Sequence, residues 1–473
     1  GMAGGTLFRL FPQWAQGYAE PELVELAAAP GSIGPGPSDA RMYVAHAVDK
    51  REPYDPPVWL PPYQGALLPP ALPDAAGNFD HIPFGTPEFL SAHLYGVTRL
   101  VLEIWEDYLG QPIRWWHADV LPRLELQPVV YWANAQSGFG FLETGLRWTR
   151  FGQALPLCLS FDVVAHEVGH AILFSTMGVP DSGAVSGAFL AFHEAFADLI
   201  STISVLHFPS VVTRLLAQTS GNLYELNLVS RLGEISDVEQ VRVVDNTVRL
   251  RDLQGLRLLE DGTWRDPLNL GRNAHMLAAP LTGAVWDILV ELFQEGLVAE
   301  GIIPPDRDTR SWTPAAVTAA LGPLRHASAE ALARFEGVFR LCLHRARDRV
   351  GLAMARTILR LDPETLSFDQ VAALLIEALT EPGATPHIAM GALLDIFDER
   401  DIDPRPFLAG ASTGPALPAA TPLPVPAAFG AGVSRTGPGS LLPHRPWPRH
   451  CGCHGDIIAT RRMMPHGSRA SAG

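Results

Sequence analysis

The sequence has few cysteines, with four in 473 residues. Four cysteines in a chain of this length do not make a disulfide framework, so the fold has to rest on an apolar core. The composition allows for one, because 47% of the residues are hydrophobic and 18% are charged. The length suits two or three domains. Cys158 and Cys342 lie in apolar stretches and are predicted to be buried thiols.

Basic charge and long apolar runs are also scarce. Lysine and arginine total 35 against 50 aspartates and glutamates, a net charge of −15. Nucleic acids and anionic membranes bind to basic patches, so neither is expected as a partner. No apolar run of membrane-spanning length lacks prolines, so no transmembrane helix is predicted. Pro12 and its polar neighbours interrupt any signal-peptide core, which predicts a cytoplasmic protein, or a secreted one if the natural chain starts before Gly1.

One stretch, FDVVAHEVGHAIL at 161–173, carries a chemical pattern. Ser160 is a good N-cap, and no proline interrupts the helix predicted from there to Met177. His166 and His170 are four residues apart and share one helical face, where two imidazoles can form two corners of a tetrahedral zinc site. Glu167 lies beside them as a candidate general base. The alternative is a core helix with two hydrogen-bonded histidines.

A third ligand is expected from the stretch SGAFLAFHEAFADLIS at 186–201, which predicts a second apolar helix. Glu194 is the candidate ligand, and Asp198, four residues on, is the candidate acceptor for the free ring N–H of His166. The alternative is a solvated helix face. The surrounding phenylalanines and leucines argue against it, because a helix that is apolar nearly all round is buried and a buried carboxylate needs a partner.

The chain as a whole predicts an α+β protein in four parts. The expected division is an irregular proline-rich segment (1–85), an α+β zinc-binding catalytic domain (86–205), a mostly α-helical domain (206–408), and a disordered tail rich in Pro, Ala and Gly (409–473). Within it the patterns predict a helix at 87–109, strands at 113–118 and 127–133, and several amphipathic helices between 313 and 400.

Five stretches together resemble one family, the thermolysin-like zinc metallopeptidases of the gluzincin group. They are SAHLYGVTRL (91–100), YWANAQSGFG (131–140), LPLCLSFDVVAHEVGHA (155–171), SGAFLAFHEAFAD (186–198) and NAHMLAAPLTGAVWDIL (273–289). The resemblance implies a catalytic α+β half followed by an α-helical half, with the active cleft between them. It implies a peptide or protein substrate, hydrolysed with a zinc-activated water. No run of acidic calcium ligands occurs, so calcium is not required by the sequence.

The resemblance also implies roles for individual residues. One Zn²⁺ per chain would be bound by His166, His170 and Glu194, with Glu167 as the general base and His275 as a donor to the oxyanion. Arg251, or Arg249 nearly as well, would bind the substrate carbonyl beyond the scissile bond. The pocket for the residue after the cut would be lined by Leu157, Val163 and Leu250.

The sequence departs from the family pattern in four places. Twenty-three residues separate His170 from Glu194, four more than in the family, and no tyrosine lies between them to assist the oxyanion. The aspartate that orients the catalytic histidine falls near Leu270, so either Asn269 or Asp266 substitutes for it or nothing does. The substrate-binding Asn-Ala pair is replaced by Val129 and Val130.

Two alternatives therefore stay open beside a zinc endopeptidase: a zinc aminopeptidase, and a catalytically weak gluzincin fold that only binds peptides or proteins. A separate candidate metal cluster in the tail, His450, Cys451, Cys453 and His454, has tighter spacing than a usual zinc motif.

Overall fold

The computed structural model describes residues 4–13, 20–148, 151–180, 186–223, 229, 231–232, 242–253 and 267–408. The predicted tail, its His/Cys cluster and Asp266 lie outside the described residues, as do the side chains of 254–273.

In the described ranges the helices are α1 (Pro87–Leu109), α2 (Phe161–Met177), α3 (Gly187–Val205), α4 (Pro209–Thr219), α5 (Pro267–Ala299), α6 (Pro314–Arg360), α7 (Phe368–Leu379) and α8 (Met390–Asp398). The strands are β1 (Thr6–Leu10), β2 (Glu22–Leu26), β3 (Met42–Val44), β4 (Leu124–Gln127), β5 (Ala135–Gly138), β6 (Phe141–Thr144), β7 (Leu146–Trp148), β8 (Ala154–Pro156), β9 (Arg231–Leu232) and β10 (Arg242–Val243). The fold mixes helices with small sheets, in agreement with the predicted α+β class.

The helix predicted at 87–109 is confirmed, and its ends have local causes. The Thr86 side chain accepts a hydrogen bond from Phe89 N, and Pro87 occupies the first turn. Gly110 ends α1 with φ of 70°, a left-handed conformation that glycine adopts without strain. The helix predicted from Ser160 to Met177 is confirmed in the same way, with the Ser160 side chain accepting from Val163 N.

The main sheet has four strands in the order β3-β4-β6-β5. β4 pairs parallel to β3 and to β6, while β5 is antiparallel to β6. Side chains alternate across a strand, and Leu124, Leu126 and Leu142 join the large apolar core on one face. Helices α1 and α2 pack against this sheet.

The opposite face of the sheet carries buried glutamates, which the N-terminal segment covers. Tyr43 and Tyr54 donate their hydroxyls to Glu125 at 2.7 and 2.5 Å. Lys50 Nζ lies 2.7 Å from Glu143 Oε2, and both side chains are fully buried. The same ammonium lies 3.9 Å from the centre of the Tyr54 ring. Burial lowers the pKa of Lys50 and raises that of Glu143, against the attraction between them. The proline-rich segment is therefore an integral layer of the fold.

The prediction of strands at 113–118 and 127–133 is wrong. Residues 113–118 form an irregular turn, and their aromatic side chains are used for packing: Trp115 is buried and donates its indole N–H to Arg41 O at 2.8 Å. The second strand instead spans Leu124–Gln127 and ends before Pro128. Proline has no N–H to continue the ladder, so the chain turns away there.

Two helices, α3 and the Ala274–Ala299 part of α5, are long and apolar enough to cross a membrane by length and composition. The qualifying stretch of α3 is buried within the molecule over its whole length, and that of α5 over 78%. A core helix needs the same composition. In this fold α3 packs between α2 and α5, which is how its polar residues reach the site described next.

Candidate metal centre

The two helices that carry the motifs cross at a point where neither has a large side chain. A Cβ added to Gly169 of α2 would lie 3.0 Å from Cα and 3.3 Å from Cβ of Ala197 on α3. Gly169 directly precedes His170, and Ala197 directly precedes Asp198. The close backbone approach therefore brings the polar residues of the two helices within reach of one another.

Three buried side chains, His166, His170 and Glu194, place their ligand atoms within 4.8 Å of one another. His166 Nε2 lies 3.0 Å from His170 Nε2 and 3.3 Å from Glu194 Oε2, and His170 Nε2 lies 3.5 Å from Glu194 Oε1. Ligands about 2.0–2.1 Å from a tetrahedral zinc ion are separated by about 3.3 Å. The two imidazole nitrogens are thus close to the separation of two tetrahedral ligands, and each has a different oxygen of Glu194 within about that distance.

His166 is held in a single orientation by Asp198. Its Nδ1 lies 2.6 Å from Asp198 Oδ1, and the carboxylate is nine-tenths buried or more. A carboxylate accepts, so Nδ1 carries the proton and the Nε2 lone pair faces the other two ligands.

His170 makes the equivalent contact with another imidazole. Its Nδ1 lies 3.1 Å from Nδ1 of His193, which is fully buried on α3 next to Glu194. The sequence analysis did not single out His193. The available signal was a polar residue in an otherwise apolar helix, directly before a candidate ligand.

The charge of the site fits a divalent cation. Glu167 is 2% exposed, Glu194 is fully buried and Asp198 is 4% exposed, so three carboxyl groups are shielded from water in a space bounded by two helices. Two imidazole lone pairs add to this negative potential. Burial of carboxylates without compensation is costly, and a bound cation would supply that compensation.

His275 of α5 reaches the same group. Its Nδ1 lies 2.9 Å from Glu194 Oε2, its ring centre is 6.2 Å from that of His166, and its side chain is 11% exposed. The structure therefore brings together the three candidate ligands, Asp198 and His275, while Glu167 is buried on α2 next to His166. Glu194 thus lies beside Nδ1 of this imidazole. The side chains of Asn269 and Asp266, which the sequence suggested for orienting it, lie outside the described residues.

The remaining predicted site residues lie on neighbouring segments. Leu157 is buried in the short 3₁₀ turn that leads into α2, and Val163 is half-buried in the first turn of α2. Arg251 is exposed, and its guanidinium and backbone N–H bind the carboxylate of Asp401. Its charge is thus neutralised by a residue that the sequence analysis did not connect with it. Arg249 is exposed.

A buried histidine outside the centre, His93, holds the turn that leads into α2 by hydrogen bonds. Nε2 of His93 on α1 accepts from Phe11 N at 3.0 Å, and its Nδ1 donates to Cys158 O at 2.8 Å, in the turn before Ser160. Burial lowers the pKa of His93 to about 4. The imidazole is therefore neutral, with its proton on Nδ1.

Comparison with known proteins gives little beyond the geometry. No family model matches the chain, and no curated protein matches it. Among solved structures, the precursor of protealysin, a metalloproteinase from Serratia proteamaculans, superposes with a TM-score of 0.43 at 10% identity, over 77% of this chain and 88% of that chain. We draw no conclusion from a similarity at this level.

Proposed function

We propose that this protein is a zinc-dependent peptidase that hydrolyses internal peptide bonds. The observation that supports the proposal most is the group of three buried donors, His166, His170 and Glu194, whose ligand atoms lie within 4.8 Å of one another. Two imidazoles and one carboxylate are donors that suit Zn²⁺, and three protein ligands leave a fourth position for water or substrate, as catalytic zinc sites do.

Zinc in such a site supplies a water of lowered pKa and polarises a carbonyl group. The residues of the chain would do the rest. Glu167 is not needed as a ligand, and as a carboxylate on the same helix it would accept a proton from the water and pass it to the leaving amine. His275, next to Glu194 and partly open to solvent, would donate to the oxygen that becomes negative. We further propose that the substrate lies between an α+β domain (86–205) and a helical domain (206–408).

The test of this proposal is the variant Glu167→Gln. Glutamine keeps the shape of the side chain but cannot accept the proton, so zinc content and thermal stability should be retained. Cleavage of a peptide library should fall by at least about two powers of ten, the lower end for general-base catalysis. Glu336→Gln is the matched control, since Glu336 is an exposed glutamate on α6 with only a 3.7 Å ion pair to Arg340. It should leave cleavage unchanged.

Two results would contradict the proposal. One is a purified wild-type protein that neither contains nor takes up zinc. The other is a zinc-loaded wild type that cleaves nothing in a broad library, yet binds a peptide as tightly as Glu167→Gln does; this would establish a binding module. An amino-blocked peptide separates endopeptidase from aminopeptidase, because only the former cuts it.

A further inference from the structure

The contact between His170 and His193 is an unusual way to hold a metal ligand. We propose that His193 is a positioning residue: its Nδ1 lone pair accepts the Nδ1 proton of His170 and so directs the Nε2 lone pair of His170 at the metal. This inference rests on the proposed metal site and adds a residue to it.

The hydrogen-bond chemistry of the pair supports this assignment. A neutral imidazole that binds a metal through Nε2 must carry its proton on Nδ1. The atom opposite Nδ1 of His170 is Nδ1 of His193, 3.1 Å away. The two rings are within 9° of parallel with their centres 5.4 Å apart, so the contact is between ring edges, where the proton and the lone pair lie. His193 must then be the tautomer with its proton on Nε2.

The packing around His193 keeps its ring in this position. Its centre lies 4.3 Å from that of Phe174 on α2 and 4.7 Å from that of Phe189, one turn earlier on α3. The residue is fully buried and belongs to the helix that carries Glu194. A fully buried ring in contact with two aromatic groups has little freedom to rotate away, which is what a positioning group requires.

The two histidine ligands are therefore supported differently. His166 donates to a carboxylate, Asp198, whereas His170 donates to a neutral imidazole. A carboxylate partner increases the basicity of a histidine ligand through its charge. An imidazole fixes the tautomer and orientation of His170 without adding a fourth buried carboxyl group to a site that already holds three.

The test compares two variants of equal shape. In His193→Asn, Oδ1 takes nearly the place of Nδ1 and can accept the proton of His170; in His193→Leu, a methyl group stands there. The zinc Kd of wild type and both variants is measured by competition with a chromophoric chelator, and the visible absorption of Co²⁺-loaded protein reports the ligand geometry. Loss of an outer partner of a metal ligand typically weakens binding about 10–100-fold. We expect this for His193→Leu, together with an altered cobalt spectrum, and an affinity close to wild type for His193→Asn.

Wild-type zinc affinity in His193→Leu would overturn the assignment. So would equal losses in the two variants, because a role in packing alone does not distinguish Asn from Leu. If His193→Leu does not give the circular dichroism of a folded protein, His193→Met replaces it as the variant without an acceptor of comparable strength. Failure of the proposed function gives a different result. If the wild type binds zinc with the predicted dependence on residue 193 but cleaves no peptide, the peptidase proposal is wrong and the positioning role of His193 still holds.

Discussion

Acid should weaken this fold through His93, and the size of the effect can be worked out. Both ring nitrogens are used: Nδ1 donates to Cys158 O and Nε2 accepts from Phe11 N. A second proton would have to go on Nε2, where it meets the N–H of Phe11. Burial lowers the pKa to about 4 from the ordinary value of 6.5. The folded state thus resists a proton that the unfolded chain takes up readily.

The sign and magnitude follow from linkage. Between pH 6.5 and pH 4 the unfolded state binds more protons at this site than the folded state, so the free energy of unfolding falls as the pH falls. The full difference between these two pKa values corresponds to about 3 kcal/mol. Near pH 5 the loss is about 2 kcal/mol, and above pH 7 it vanishes.

The perturbation that isolates this term is His93→Phe, which keeps a ring and removes the titration. At pH 7.5 the variant should be less stable by about 1–3 kcal/mol for each of the two backbone groups left without a partner. Between pH 7.5 and pH 5, however, it should lose about 2 kcal/mol less than wild type. Denaturant unfolding followed by tryptophan fluorescence at both pH values measures this difference. The control is His326→Phe, at an exposed histidine beside Glu330. Between pH 7.5 and pH 5 its free energy of unfolding should fall by as much as that of wild type.

The reasoning would be refuted if His93→Phe and wild type lost the same free energy of unfolding over this range. Every other group is the same in both proteins, so its contribution cancels in the comparison. A difference of the opposite sign would mean that the folded protein accepts the proton on His93 more readily than the unfolded chain does.

Two further predictions concern the centre itself. His275→Ala should lower kcat by about two to three powers of ten with little change in KM, because one oxyanion donor is lost; unchanged steady-state kinetics would remove His275 from the site, and a weaker zinc affinity would assign its 2.9 Å contact to holding Glu194. Gly169→Ala should destabilise the fold by about 1–3 kcal/mol and weaken zinc binding, since the added methyl group meets Ala197 and separates the helices. Gly337→Ala, with open space at its Cβ, is the control for chemical denaturation and should stabilise by up to about 1 kcal/mol; equal stability of the two variants would contradict the close-approach argument.

The helices of the centre could be predicted because their signals are local. Ser160 and Ser186 cap α2 and α3 with their own side chains, and the spacing of four between His166 and His170 already defines a shared face. These features need only neighbours in sequence. The strand Leu124–Gln127 needed more, since three of its four residues pair with β3, which lies far earlier in the chain. Trp115 shows that an aromatic, β-branched pattern can serve packing alone.

His193 was missed for a different physical reason. Adjacent residues on a helix point about 100° apart, so the residue before Glu194 is not expected to serve the same site. Only the crossing of α2 over α3 at Gly169 turns His170 toward it. A sequence pattern gives the face of each helix, but the angle and contact point between two helices depend on side chains from both.

The glutamates beneath the N-terminal segment have a consequence for how the protein is made. Lys50 is paired with Glu143, 93 positions later, and the Tyr54 hydroxyl with Glu125, 71 positions later. During synthesis Lys50 and Tyr54 leave the ribosome before the carboxylates that bind them have been translated. Contacts of this separation form late, because a long loop must close before they are gained. The contacts of Lys50 and Tyr54 with the sheet thus form late, and until Glu143 has emerged Lys50 remains a hydrated charge without this carboxylate.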